Sequence, residues 1–133
     1  MPEIIRPPWL AAPKGFSHGL VYPQGRLLFV AGQIGWDVES RIVSDDFVAQ
    51  WAKALDNVLE VVRAAGGLPE HVARMTVFVA DKRRYEESLR ALGKVWRAKM
   101  GRHYPAMSLV EVAALLEPGA LVEIEATAVL PGG

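Results

Sequence analysis

The chain has no cysteine in its 133 residues, which removes disulfides, thiolate nucleophiles and cysteine-held metals from consideration. It also has no net charge, because 15 Lys and Arg face 15 Asp and Glu. A nucleic-acid binder normally needs a basic domain or stripe, so no nucleic-acid partner is expected. No apolar run approaches the roughly 18 residues that span a bilayer. The opening MPEIIRPPWLAAPKG is interrupted by Pro7, Pro8 and Pro13 and holds no apolar core of signal length. No membrane partner and a cytoplasmic location are the expectation. Histidine is scarce and scattered: His18, His71 and His103 show no i,i+4 pairing, so no metal site is expected. Repeats, low-complexity tracts and sustained heptads are missing as well.

What remains is a chain on the apolar side of the globular norm, 51% hydrophobic, long enough for one domain with a real core over residues 1–133. Residues 1–14 read as an extended arm, since their prolines disfavour both helix and ladder. Phe16–Tyr22 and Arg26–Ala31 read as two strands of a hairpin around Pro23-Gln24-Gly25. Gly32-Gln33-Ile34-Gly35 follows, where two glycines allow the backbone to pass close to a ligand or another chain. Ser44 is the expected cap of a helix whose stripe is Val48, Trp51, Leu55, Val58, Leu59 and Val62, ending at Gly66-Gly67. Val72–Ala80 is a β-branched strand. Asp81 caps a second helix with the stripe Tyr85, Leu89, Leu92 and Trp96, ending near Gly101. The stretch from Tyr104 to Leu130 reads as a closing hairpin turned at Glu117-Pro118-Gly119-Ala120. In its second strand Val122, Ile124, Ala126 and Ala128 point one way; Leu121, Glu123, Glu125 and Thr127 point the other.

The order β-β-α-β-α-β-β implies an α/β fold, a mixed sheet with two helices on one face. Two helices cover one face only, yet LLFVA and VARMTVFVA are apolar on both. The second face therefore needs another layer, and self-association is the economical source.

Gly32-Gln33-Ile34, Leu55-Asp56-Asn57-Val58, Ala65-Gly66, Thr76-Val77-Phe78-Val79, Tyr104-Pro105-Ala106, Val110-Glu111-Val112 and Val122-Glu123-Ile124-Glu125-Ala126 occur in that order. With these landmarks the chain resembles the Rid family, also called YjgF, of imine and enamine deaminases. The resemblance implies a chorismate-mutase-like fold, a homotrimer and small-molecule clefts between subunits. It implies hydrolysis of an imine or enamine with no metal or organic cofactor, Glu123 positioning the attacking water. Cleft residues implied with it are Phe16, Ala31, Gly32, Gln33, Leu89, Ala106, Met107 and Ser108. Archetypal members carry an arginine at the position of Met107, able to grip a carboxylate bidentately; a thioether has no donor. Phe16, Ala31 and Leu89 likewise stand where the family often has polar groups. A non-catalytic ligand-binding or regulatory trimer is the alternative these changes favour. Older family labels of RNA cleavage find no support in a neutral chain without a nucleophile–base pair.

Several side chains carry two readings. Arg102 could replace the missing arginine, and His103 could be a proton carrier or a plain loop histidine. Glu111 could pair with an arginine of a neighbouring chain. Trp36 could stack on a ligand or anchor an interface, and Met107 could line a pocket or sit in the core. Trp51 and Trp96, on helical stripes, read as core.

Overall fold

The computed structural model describes residues 2–132. Its elements run β-β-β-α-β-α-α-β-β, the expected order with one added strand in the N-terminal arm and the second helix split in two. The chain opens with two short antiparallel strands, Glu3–Ile5 (β1) and Gly19–Val21 (β2). A ladder thus forms inside the arm; Pro7, Pro8 and Pro13 all fall in the link between β1 and β2, where no amide is needed. The expected hairpin of Phe16–Tyr22 with Arg26–Ala31 does not form. Instead Arg26–Ile34 (β3) pairs antiparallel with Val122–Leu130 (β6).

The first long helix, Phe47–Ala64 (α1), is capped by Asp46, not Ser44: the Asp46 carboxylate accepts the Ala49 N–H at 2.9 Å. Ser44 supports that cap from outside, its hydroxyl accepting the Asp46 N–H at 3.0 Å. The stripe of Trp51, Leu55, Val58, Leu59 and Val62 is buried as expected. Each such side chain contributes roughly 1.5–3 kcal/mol by leaving water. After Val72–Val79 (β4), Asp81 caps Lys82–Glu87 (α2) by accepting the Arg83 N–H at 3.0 Å. The helix then breaks at Ser88, whose hydroxyl donates to the Arg84 carbonyl at 2.7 Å, a back-bond that competes with the helical ladder. It resumes as Leu89–Met100 (α3).

The expected closing hairpin is also replaced. Ala106–Glu111 (β5) pairs parallel with β4, and β4 separates it from β6, giving the sheet order β3-β6-β4-β5. With Val72, Met75, Val77 and Val79 all fully buried, β4 is the strand suited to an inner position. The turn itself is as expected: Ala120 N–H donates to the Glu117 carbonyl at 3.1 Å and Gly119 takes φ +86°. Glu111, a candidate for pairing with another chain, instead accepts the Lys82 N–H at 2.9 Å within its own.

The helices lie on one side of this four-stranded mixed sheet, with α1 over β3 and β6. On the opposite face Phe29 and Leu27 stand 73% and 63% exposed, an apolar surface without a covering layer. Among the described residues no helix is long and apolar enough to cross a membrane.

One polar side chain sits wholly within the core. Gln50, fully buried, donates to the carbonyls of Ser44 and Gly119 at 2.8 and 2.9 Å and accepts the Leu121 N–H at 2.8 Å. It joins the entry of α1, the Pro118-Gly119 turn and the start of β6. Gln50→Leu keeps the volume but strands three backbone groups, so urea unfolding at fixed protein concentration is expected to show a loss of about 3 kcal/mol.

Candidate functional site

The candidate residues separate into two groups on opposite sides of the sheet. Glu123 lies in β6 between Val122 and Ile124, both fully buried under the helices. Alternation therefore turns its half-buried side chain to the uncovered face. Its partner across the ladder is Ile34 of β3, and just before it β3 bulges: the register slips between Val30 and Gln33, at Ala31-Gly32 opposite Glu125. A bulge re-aims the strand locally. A Cβ placed on Gly32 would overlap the Glu123 carboxylate, so the glycine makes room for the acid. Gly35 serves a different end: a Cβ there would meet Gln50 Cα at 2.7 Å and Gln50 O at 2.8 Å. The close approach is to the chain's own α1, not to a ligand. Asn57 on α1 holds the same segment, donating to the carbonyls of Ile34 and Trp36 at 3.1 Å each.

Ser108 is exposed and pairs in register with Thr76, which sets it on the uncovered face with Glu123. Gln33 lines a shallow surface depression with Trp36, Lys53 and Asn57.

Met107 belongs to the second group. It is in register with fully buried Met75 and packs against the core cluster, on the helix side of the sheet. There it lines a cavity of about 230 Å³ with Trp51, Tyr85, Leu89, Trp96 and Tyr104. Two aromatic pairs form much of the wall: Trp96 stacks on Tyr104 at 6.0 Å and 10°, and Trp51 lies against Tyr85 at 5.7 Å and 34°. Met107 is thus both core-packed and pocket-lining. Leu89, on the helical stripe but 54% exposed because the helix breaks just before it, faces the same cavity.

Burial pushes the Tyr85 hydroxyl above its ordinary pKa of 10.0. Trp51 is 4% exposed, and its indole N–H has no hydrogen-bond partner among the described residues. Such an orphan costs roughly 1–3 kcal/mol. Lys14 and Arg97 complete the lining and are its cations.

Arg102, the expected stand-in for the family arginine, lines a different and larger cavity of about 680 Å³ with Arg6, Phe16 and His103. His103 is no exposed loop residue: its Nε2 lies 2.6 Å from the Val72 carbonyl, and the Trp96 indole N–H donates to its backbone oxygen at 3.1 Å. Ala106 is brought to Ser17 by an isolated bridge, and the Ser17 hydroxyl donates to the Tyr104 carbonyl at 2.6 Å. That contact docks Phe16 beside the start of β5. Among the described residues no three His, Asp or Glu side chains cluster as metal ligands do.

Reading helix periodicity as core missed the pocket role of Trp51, Tyr85 and Trp96, because a pocket floor and a core face share the same spacing. Lys14 and Arg97 carried no sequence signal at all.

A family model described as Endoribonuclease L-PSP matches residues 8–130. The fold superposes on a Yersinia pestis protein of unknown function from the conserved Rid family, 34% identical, with TM-score 0.86 over 97% of this chain and 98% of that one. A Mycobacterium tuberculosis member of the YjgF/YER057c/UK114 family is 35% identical, with TM-score 0.65 and 87% of each chain covered. Human 2-iminobutanoate/2-iminopropanoate deaminase is 33% identical over 105 residues, covering 78% of this chain and 73% of the human one. The Salmonella typhimurium protein of that name is 34% identical, covering 79% and 80%. The fold and the matched span define a Rid-type α/β protein. This chain belongs to the Rid (YjgF) family.

The two glycines separate site from scaffold. Gly32→Ala meets only the end of a flexible side chain and is expected to keep stability within about 0.5 kcal/mol, while the Glu123 carboxyl carbon moves to a new NMR shift. Gly35→Ala meets helix backbone and is expected to cost about 1–3 kcal/mol in urea unfolding.

Proposed function

We propose that this protein is a homotrimeric imine or enamine hydrolase whose clefts are each made from two copies of the chain. The observation that carries the reading is the separation just described: Glu123 faces the uncovered side of the sheet and the Met107 pocket faces the helix side. A cleft using both groups needs one from each of two neighbours. Exposed Phe29 and Leu27 supply the apolar face such an assembly would bury. The similarity to proteins named 2-iminobutanoate/2-iminopropanoate deaminase supports the chemistry.

In the reaction, water adds to the C=N carbon while the Glu123 carboxylate accepts a water proton. With an iminium substrate this gives a neutral carbinolamine; the protonated Glu123 then returns its proton to the amino nitrogen, which leaves as ammonia while the hydroxyl proton passes to that ammonia, leaving a carbonyl and ammonium. The carboxylate serves as general base, a role worth about 10²–10⁴-fold. Water and one carboxylate suffice for these steps. Gly32 and Gln33, with Ala106 and Ser108, supply backbone groups for orienting substrate; Phe16, Ala31, Leu89 and Met107 shape the cleft without charge.

A second reading is a trimer that binds a small molecule without turning it over. It is favoured by Met107, which offers no donor to a substrate carboxylate. Ribonuclease action is disfavoured: the chain is neutral, and the Ser17 hydroxyl is committed to the Tyr104 carbonyl.

The test generates imines from a panel of amino acids with an oxidase and traps survivors with semicarbazide. Wild type is expected to speed imine loss, and Glu123→Gln to slow that acceleration by at least about 100-fold. Unchanged hydrolysis in Glu123→Gln would remove this residue from the mechanism. A wild type that binds a metabolite but clears no imine would favour the second reading.

A further inference from the structure

The Met107 pocket has features that the loss of an arginine does not explain. Its walls are two aromatic pairs, Trp51 with Tyr85 and Trp96 with Tyr104. Flat apolar walls select flat apolar ligands, since ring faces and edges gain most from offset or edge contact with another ring. A volume of about 230 Å³ holds one aromatic ring with a short arm. An apolar cavity of about 150 Å³ already accepts benzene.

The cavity is not purely apolar. Lys14 and Arg97 line it, no acidic side chain does, and neither cation has an ion-pair partner among the described residues. Trp51 contributes its ring to the lining, its indole N–H being buried beneath the cavity surface. Two exposed cations thus border an aromatic box, the pattern of a site in which a few polar groups orient an apolar body.

We propose that this pocket binds an aromatic ligand bearing an acid group, the ring held between the Trp51–Tyr85 and Trp96–Tyr104 pairs and the carboxylate held by Arg97 and Lys14. The assignment rests on the proposed hydrolase and names the substrate class of the same cleft: imines of aromatic acids in place of small aliphatic 2-imino acids. The acid is gripped by cations from the N-terminal segment and from α3, not from the position of Met107. Arg102, in the neighbouring cavity, takes no part. A charge-assisted contact to guanidinium is directional, so the neutral amide of the same ligand is a poor substitute.

The test is calorimetric titration of the full-length protein with 3-phenylpropanoate, 3-phenylpropanamide and propanoate, none of which contains a hydrolysable imine. The aromatic acid is expected to bind at least about tenfold more tightly than its amide, with propanoate showing no binding over the same range. Lys14→Gln combined with Arg97→Gln, both at exposed positions, should bring the acid to the amide's affinity and leave the amide unchanged. Trp51→Phe, checked for folding by circular dichroism, should weaken both aromatic ligands. Equal affinities for acid and amide, an acid affinity unaltered by the double substitution, or no aromatic binding by wild type would each overturn the assignment. Binding of the aromatic acid without hydrolysis of imines would spare this site and reject the hydrolase. Hydrolysis without aromatic-acid binding would do the reverse.

Discussion

Helices on only one face of the four-stranded sheet are the constraint on which the rest of the molecule depends. The covered face is a conventional core: α1 lies over β3 and β6, and its Leu55, Val58, Leu59 and Val62 share one buried cluster with Ile124, Ala126 and Ala128 of β6 and Met75 and Val77 of β4. The other face leaves Leu27 and Phe29 in water while Thr76, Glu125 and Thr127 form a polar band beside Phe29 around a hollow of about 210 Å³. This is the face that the proposed trimer would bury. The strand register decides which side chains face the helices and which the uncovered side, because one residue's slip exchanges the faces.

That register also distributes the chemistry. Glu123 is on the uncovered side because its neighbours Val122 and Ile124 are on the core side, and Met107 is on the core side because it rides beside Met75. The bulge at Ala31-Gly32 and the bare glycine beneath the carboxylate fix where Glu123 can stand. Gln50 and Asn57 brace this arrangement from α1, one holding the turn before β6 and the other holding the chain as it leaves β3. The residues bracing the site are thus polar, Gln50 buried and Asn57 half-buried, whereas the pocket residues are aromatic and packed.

Much of the fold was legible in the sequence because its signals are local. The α1 stripe, the Asp81 cap, the Gly119 turn and the alternation of β6 all follow from spacing within a dozen residues. Strand pairing was not legible. Two strands joined by Pro23-Gln24-Gly25 look like a hairpin, but β2 finds β1 and β3 finds β6. The same happened at Glu117–Ala120, where β4 enters between two strands that are sequence neighbours. Pairing is a competition among all edges, and nothing within one turn reports on a strand 50 residues away. Of the site, Glu123 and Met107 were visible through landmark motifs. Trp51, Tyr85 and Trp96 were hidden by their helical spacing, and Lys14 and Arg97 by looking like ordinary surface charge.

The two-chain cleft is tested most directly by subunit mixing. Glu123→Gln removes the carboxylate, and Leu89→Trp fills the pocket from an exposed position, so each variant alone should fail to clear the imine that wild type clears. Unfolded together in equal amounts and refolded, the two should recover about one quarter of wild-type activity, since half the carboxylates meet half the pockets at random. A co-refolded mixture no more active than the separate variants would place both groups in one chain's site and contradict a cleft shared between copies.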